Sequence, residues 1–127
     1  MTSKYILLQD LEVYELSRGL SKIGWKIYEK FNWETKKIMG FQFIGAVDSV
    51  GANITEGYSR FYYLDKIKFY YNARASLSEA TNHWIELINE RSLVDKELYK
   101  EFKVITAKLF IKLNNFINST YRAKNQT

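Results

Sequence analysis

Apolar residues recur at three- and four-residue steps along most of the chain, the spacing of one buried helix face repeated in four separate runs. The first run, Val13, Leu16, Leu20, Ile23, Ile27 and Phe31, predicts a helix from about Asp10, a suitable N-cap, to Phe31. After a break at Asn32 to Thr35, with Thr35 as the expected cap, Phe43, Val47, Val50 and Ile54 predict a second helix from about Lys36 through Glu56. Gly57 suits the left-handed position that closes a helix. Tyr63, Ile67, Tyr70, Ala73, Leu77, Ala80, Trp84 and Leu87 keep helical spacing without a gap and predict a third helix to Glu90. Past a turn at Arg91 to Val94, Asp95 is placed to cap a fourth helix reaching about Thr120, with Leu98, Phe102, Ile105, Leu109, Leu113 and Phe116 inward. Residues 121–127, YRAKNQT, have no periodicity and read as a frayed basic tail.

Helices of roughly 20 residues are about 30 Å long, and short connections make consecutive ones antiparallel. The expected fold is therefore all-α, an antiparallel up-down-up-down four-helix bundle, with residues 1–127 as a single domain. A length of 127 residues agrees, being enough for one core and not for a separate catalytic domain. Proline, the commonest helix breaker, is absent, and there is no repeat, low-complexity run or linker.

Composition changes the picture in two ways. Aromatic residues make up 17% of the chain, with ten tyrosines and three tryptophans, more than a small core hides with their polar tips satisfied. Some of them belong at a subunit interface or a ligand surface. The formal charge of +5 favours an acidic partner or nucleic acid through long-range fields. The lack of cysteine excludes a disulfide framework and a thiolate metal site, as is ordinary for a cytoplasmic protein. The start, MTSKYILLQDLEVYE, lacks the apolar length and cleavage site of a secretion signal, and no stretch approaches the roughly 20 apolar residues of a membrane span.

Within the second helix, DSVGANITEGYSRF mixes apolar spacing with residues a packed helix would not choose. Gln42, Gly45, Ser49, Asn53, Glu56 and Arg60 make a polar stripe beside the apolar one. Gly40, Gly45 and Gly51 each cost about 1 kcal/mol of helix propensity against alanine, so another backbone comes close there or the helix bends. Tight packing inside the bundle with a half-exposed polar stripe explains the pattern equally. A phosphate loop does not: GANITEG lacks the Lys-Ser/Thr ending and no strand precedes it.

The same stretch resembles the signature of the bacterial four-helix-bundle family of the 23S rRNA intervening-sequence protein, close to G-x-Q-L-x-R-A-x-D-S-I-x-A-N-I-A-E-G-x-G-R. Gly40, Gln42, Ala46, Asp48, Ser49, Ala52, Asn53, Ile54, Glu56, Gly57 and Arg60 carry the likeness. A second block, F-x-x-x-A-R-G-S-L-x-E, is echoed by Phe69, Ala73, Arg74, Ser76, Leu77 and Glu79, and Leu11 to Tyr14 and Ile27-Tyr28 also fit. Three positions depart: the family's arginine falls on Gly45, its alanine on Thr55 and its glycine on Ala75. The resemblance implies an antiparallel four-helix bundle assembled as a homopentamer, with no catalytic site and no cofactor. It also implies a gene within an insertion of the large ribosomal RNA, or kinship with accessory proteins of diversity-generating retroelements that engage a reverse transcriptase and nucleic acid. Within it, Asn53, Glu56, Arg60, Arg74 and Glu79 read as structural, with Glu56 or Glu79 paired to Arg74 or Arg60 across helices and Asn53 tied to a neighbouring backbone.

Rival chemistry is thin. A metal centre in a bundle needs facing carboxylates and Glu-x-x-His pairs, whereas the single histidine, His83, follows Glu79 by four residues and shares a polar stripe with Asn72, Ser76, Glu86 and Glu90. One histidine without a serine context is no triad either, so no metal and no enzymatic activity is expected. Nucleic acid has more support: Lys103, Lys108, Lys112, Arg122 and Lys124 follow the last acidic residue, Glu101, and repeated around an oligomer they would present a positive rim to RNA or DNA. They do not share one helix face, and a solvated surface accounts for each singly. No groove-reading motif is present, so binding would be backbone-driven and salt-sensitive. The alternative is an assembly module, a pentameric adaptor whose partner is another protein.

Overall fold

The computed structural model describes residues 5–126, which leaves the first four residues of the N-terminal segment and Thr127 of the expected tail outside the described residues. A 3-10 turn, Leu8–Asp10, leads into helix α1 (Glu12–Glu29). Helix α2 covers residues 33–59 as one rod: a first turn at Trp33–Thr35, a π-helical turn at Lys36–Gly40 and an α-helical body at Phe41–Ser59. Helix α3 covers residues 63–90 with the same construction, Tyr63–Ser78, a π turn at Glu79–Trp84 and Ile85–Glu90. Helix α4 is Lys96–Asn125. Among the described residues there is no strand.

The caps explain where the rods begin and end. Asp95 accepts the Leu98 N–H at 2.8 Å, as its position suggests. Asn32, rather than Thr35, caps α2 and accepts the Thr35 N–H at 2.8 Å. Asp10 caps nothing, because it closes the 3-10 turn and the helix starts after Leu11. Gly57 does not close α2, which continues to Ser59. Its role is steric: a Cβ there would stand 2.6 Å from the Tyr70 ring and 3.0 Å from the Lys66 carbonyl. The left-handed closing residue is Ser92 instead, with φ of 57°, flanked by the bonds Ser92 N–H to Asn89 O and Leu93 N–H to Ile88 O that define a Schellman end. The expected frayed tail is helical to Asn125, since Thr120 is buried and Tyr121 packs on the core.

α1 packs on α2 and α4, and α3 packs on the same two, so the rods stand around a common core. Contacts run in opposite order on every pair, as on α1 and α4, where Glu12 pairs with Lys112 while Gly19 lies beside Ile105. Ser17 lies beside Gly51 while Gly24 lies beside Val47, and Gly57 meets Tyr70 while Ser49 bonds Ser76. Tyr71 reaches Tyr121 while Thr81 reaches Thr106. Leu20, Phe43, Val47, Ile54, Tyr70, Leu77, Phe102 and Leu109 fill the centre, with Phe43 and Phe102 rings 5.6 Å apart.

The π turn in α3 corrects the expected inward face. A π turn holds one more residue than an α turn, so the buried phase moves one place along the chain. Ile85 and Ile88 are fully buried where even spacing pointed to Trp84 and Leu87, which are half-buried. The same displacement buries Thr81 next to Ala80. On α4 the buried partner is Thr106 rather than Ile105, and the two hydroxyls hydrogen-bond at 2.9 Å.

Candidate nucleic-acid interface

The basic residues late in α4 are spread over different surfaces. Lys103 reaches across the seam to α3, 3.0 Å from the Glu86 carboxylate, and donates to the Thr81 carbonyl at 2.9 Å inside the π turn. Tyr99 donates to Glu86 at 2.7 Å; that bond, and then Lys103, hold the Glu86 carboxyl below its ordinary range, while Glu86 pushes the Tyr99 phenol up. Lys112 faces the other neighbour and pairs with Glu12 at 3.2 Å. Arg122 donates to Ser119 on its own helix at 3.1 Å, Lys108 is exposed, and Lys124 lines a recess with Tyr62, Tyr63, Leu64 and Asp65.

The polar stripe of α2 is built mostly for the bundle. Asn53 donates to the carbonyl and hydroxyl of Ser49, both at 2.9 Å, on its own helix and not on a neighbour. Ser76 of α3 donates to the Ser49 hydroxyl at 3.0 Å, which ties the two rods together. Glu56 pairs with Arg60 at 3.2 Å, four residues on, and the Arg60 guanidinium lies 4.6 Å over the Phe69 ring. Arg74 donates to Asn114 of α4 at 2.9 Å and covers Tyr71, while Glu79 accepts from the Trp84 indole at 2.7 Å. The expected Glu–Arg pairs across helices are thus replaced by one pair at the C-terminal end of α2, between Glu56 and the residue just past the helix, and by neutral partners for Arg74 and Glu79. Gln42 and Glu79 edge a shallow recess together with Ser49, Ser76 and the open position of Gly45, where a Cβ would meet nothing within 4 Å.

Asp48 and Ala52 of the signature residues turn the other way, into a groove of about 720 Å³ between α1 and α2. Close approach of the two helices makes its floor. A Cβ on Gly51 would stand 2.9 Å from the Ser17 hydroxyl and one on Gly24 2.8 Å from Val47, so only small residues fit along this line. Tyr14, Arg18, Lys22, Trp25 and Lys26 form the α1 wall, and Asp48, Ala52 and Thr55 the α2 wall. Arg18, Lys22 and Lys26 recur every four residues, a row with roughly 6 Å between members along the axis. Arg18 donates to the Tyr14 hydroxyl at 3.1 Å. No carboxylate stands within ion-pair distance of Lys22 or Lys26 among the described residues. Trp25 is 53% exposed and its ring packs against Tyr28, centroids 5.0 Å apart and planes tilted by 34°.

Pattern reading passed over this row, although its signal is in the sequence as cations at i, i+4 and i+8 beside a tryptophan. The polar face of a first helix reads as ordinary solvated surface until a second helix forms the other wall. His83 meets Trp84 edge to face, ring centroids 4.7 Å apart, and no group of three His, Cys, Asp or Glu residues capable of holding a metal occurs among the described residues. No described helix is long and apolar enough to cross a membrane.

Comparison with known proteins agrees with the bundle. The sequence pattern of the family described as 23S rRNA-intervening sequence protein matches residues 9–115. A solved structure from Bacteroides thetaiotaomicron, a protein with unknown function from the S23 ribosomal protein family, superposes with a TM-score of 0.76 at 22% identity. The superposition covers 84% of this chain and 95% of that one. No curated protein matches.

Proposed function

The chain belongs to the 23S rRNA-intervening sequence protein family, and on that premise we propose that it is a non-enzymatic, homo-oligomeric bundle of the cytoplasm that binds RNA or other nucleic acid through a basic surface. The observation that carries this reading is the row Arg18, Lys22 and Lys26 beside a half-exposed indole, in a chain of net charge +5. Cations without carboxylate partners are the groups that exchange bound counterions for phosphates. The C-terminal residues contribute less: Lys103 and Lys112 already hold carboxylates, and Lys108 and Arg122 are the members of that set left on open surface.

Assembly is favoured by a separate patch. Phe61 is 86% exposed and Tyr62 69%, ring against ring at 5.1 Å in the turn between α2 and α3, with Leu64 exposed beside them. Apolar surface of this kind on a small domain suits a subunit contact, five copies being the number the family resemblance implies. It also suits a protein partner, and an adaptor without nucleic acid is the second reading. Native mass, together with fluorescence anisotropy of a labelled structured RNA and a DNA duplex across a salt series, separates the two. A multimer whose affinity falls steeply with salt supports the first reading; a multimer that leaves both probes free at low salt leaves only the adaptor.

A further inference from the structure

We propose that the groove between α1 and α2 binds single-stranded nucleic acid, with a base stacked on Trp25 and the sugar-phosphate backbone running along Arg18, Lys22 and Lys26. The inference rests on the nucleic-acid reading and places it at one site, away from the C-terminal lysines.

Three features select this occupant. The first is division of charge between the walls. All three cations lie on α1, and Asp48, the single carboxylate among the described residues of the groove, lies opposite on α2. A phosphate chain is therefore drawn to one wall and repelled from the other, which leaves base edges facing Asp48. A carboxylate there accepts from the exocyclic amines of cytosine or adenine and has no donor to offer the carbonyls of uracil.

The second is the aromatic surface. Trp25 is supported by the Tyr28 ring and keeps about half its area open at the groove. A supported, half-open indole next to a cationic track is the combination by which single strands are held without sequence-specific motifs. Paired bases in a duplex offer no free face to such a ring, and a duplex is read through its grooves and backbone instead.

The third is what the lining lacks. Among the described residues no Leu, Ile, Val or Met borders the groove, whose floor is Ser17, Ser21, Gly51 and Ala52. A partner helix lays its apolar anchors into an aliphatic groove, and the floor of this one provides only hydroxyls and small side chains between two aromatic posts. Its volume of about 720 Å³ lies within the range of clefts that enclose a ligand.

The test uses the full chain in its native assembly and a fluorescein-labelled 12-nucleotide single-stranded RNA of mixed sequence, with the matching duplex as competitor. The wild type binds the single strand in preference to the duplex. R18A/K22A/K26A reduces the slope of log affinity against log salt by about 2, W25A weakens binding roughly tenfold, and K108A/R122A stays within about twofold. D48N narrows the preference for oligocytidine over oligouridine. Circular dichroism and native mass, unchanged in all variants, show that fold and assembly are intact. Failure of the wild type to bind either probe at low salt overturns both this site and the nucleic-acid reading. Binding that survives the triple substitution overturns the site alone, as does equal affinity for duplex with W25A silent. A lower native mass for W25A makes the groove a subunit interface and overturns the proposal, and so does an acidic helical peptide that displaces the RNA.

Discussion

Lys103 and Lys22 are both lysines on long amphipathic helices with acidic residues on the neighbouring rod, yet their surroundings are opposite. On the α3–α4 seam Lys103 is held by Glu86 and by the Thr81 carbonyl, Glu86 by Tyr99, and Thr81 by Thr106. On the α1–α2 seam Lys22 and Lys26 stand beside an open groove whose acid, Asp48, pairs with neither. One seam satisfies its polar groups internally, and the other leaves its lysines open. The cause is steric. A π turn pushes Thr81 inward and brings a carbonyl within reach of Lys103, whereas small residues draw α1 and α2 together at the floor and leave the long side chains splayed above it. A count of charges along the chain does not see this difference; cross-helix register does.

The contrast between closed and open surfaces can be broken by substitution, and the largest effect belongs to the most tightly closed point. Gly57→Ala drives a methyl into the Tyr70 ring and should lower unfolding free energy by about 2 kcal/mol in urea titrations. A loss below about 0.5 kcal/mol would show that the α2–α3 contact relaxes easily. Gly45→Ala is the opposite case, since its Cβ meets open space. It should stabilise by roughly 0.5–1 kcal/mol through helix propensity. Destabilisation, or a fall in native mass, would mean that another subunit covers that face.

Acid tests the closed seam by its charge. The Glu86 carboxyl is held below its ordinary range by Tyr99 and Lys103, so its contribution is present above the unfolded value of 4.5 and disappears as pH falls through the lower folded value. Because the pair is more than a third exposed, the contribution is at most about 0.5–1 kcal/mol. The wild type should therefore lose more stability between neutral pH and pH 3 than Glu86→Gln does, and parallel losses would count against the pairing. The smallest effect is expected on the open seam. Lys22→Ala and Lys26→Ala should shift stability by less than about 0.5 kcal/mol, since neither lysine has a partner to lose among the described residues. A larger change in chemical denaturation would reveal a structural role for the row.

Much of this architecture is legible in the residues taken alone. The third helix is delimited at Tyr63 and Glu90 by spacing and turn residues, and Asp95 caps the fourth by local chemistry that needs no distant partner. The signature around Asn53 and the block around Arg74 carry the family likeness, which the match over residues 9–115 supports. Local periodicity and capping depend on residues within a turn or two of one another, so a linear reading reaches them.

Tertiary structure decided the rest. Ile85 and Ile88 are inward because packing imposed a π turn that even spacing does not contain. Gly57 is glycine because of a ring on the next helix, not because α2 ends there. Which cations stay open was settled by the height at which Glu86 and Glu12 sit across from Lys103 and Lys112, and by Asp48, the acid across the groove from Lys22 and Lys26, pairing with neither. Each of these depends on side chains brought together from distant parts of the chain, where distance in space and distance in sequence are unrelated.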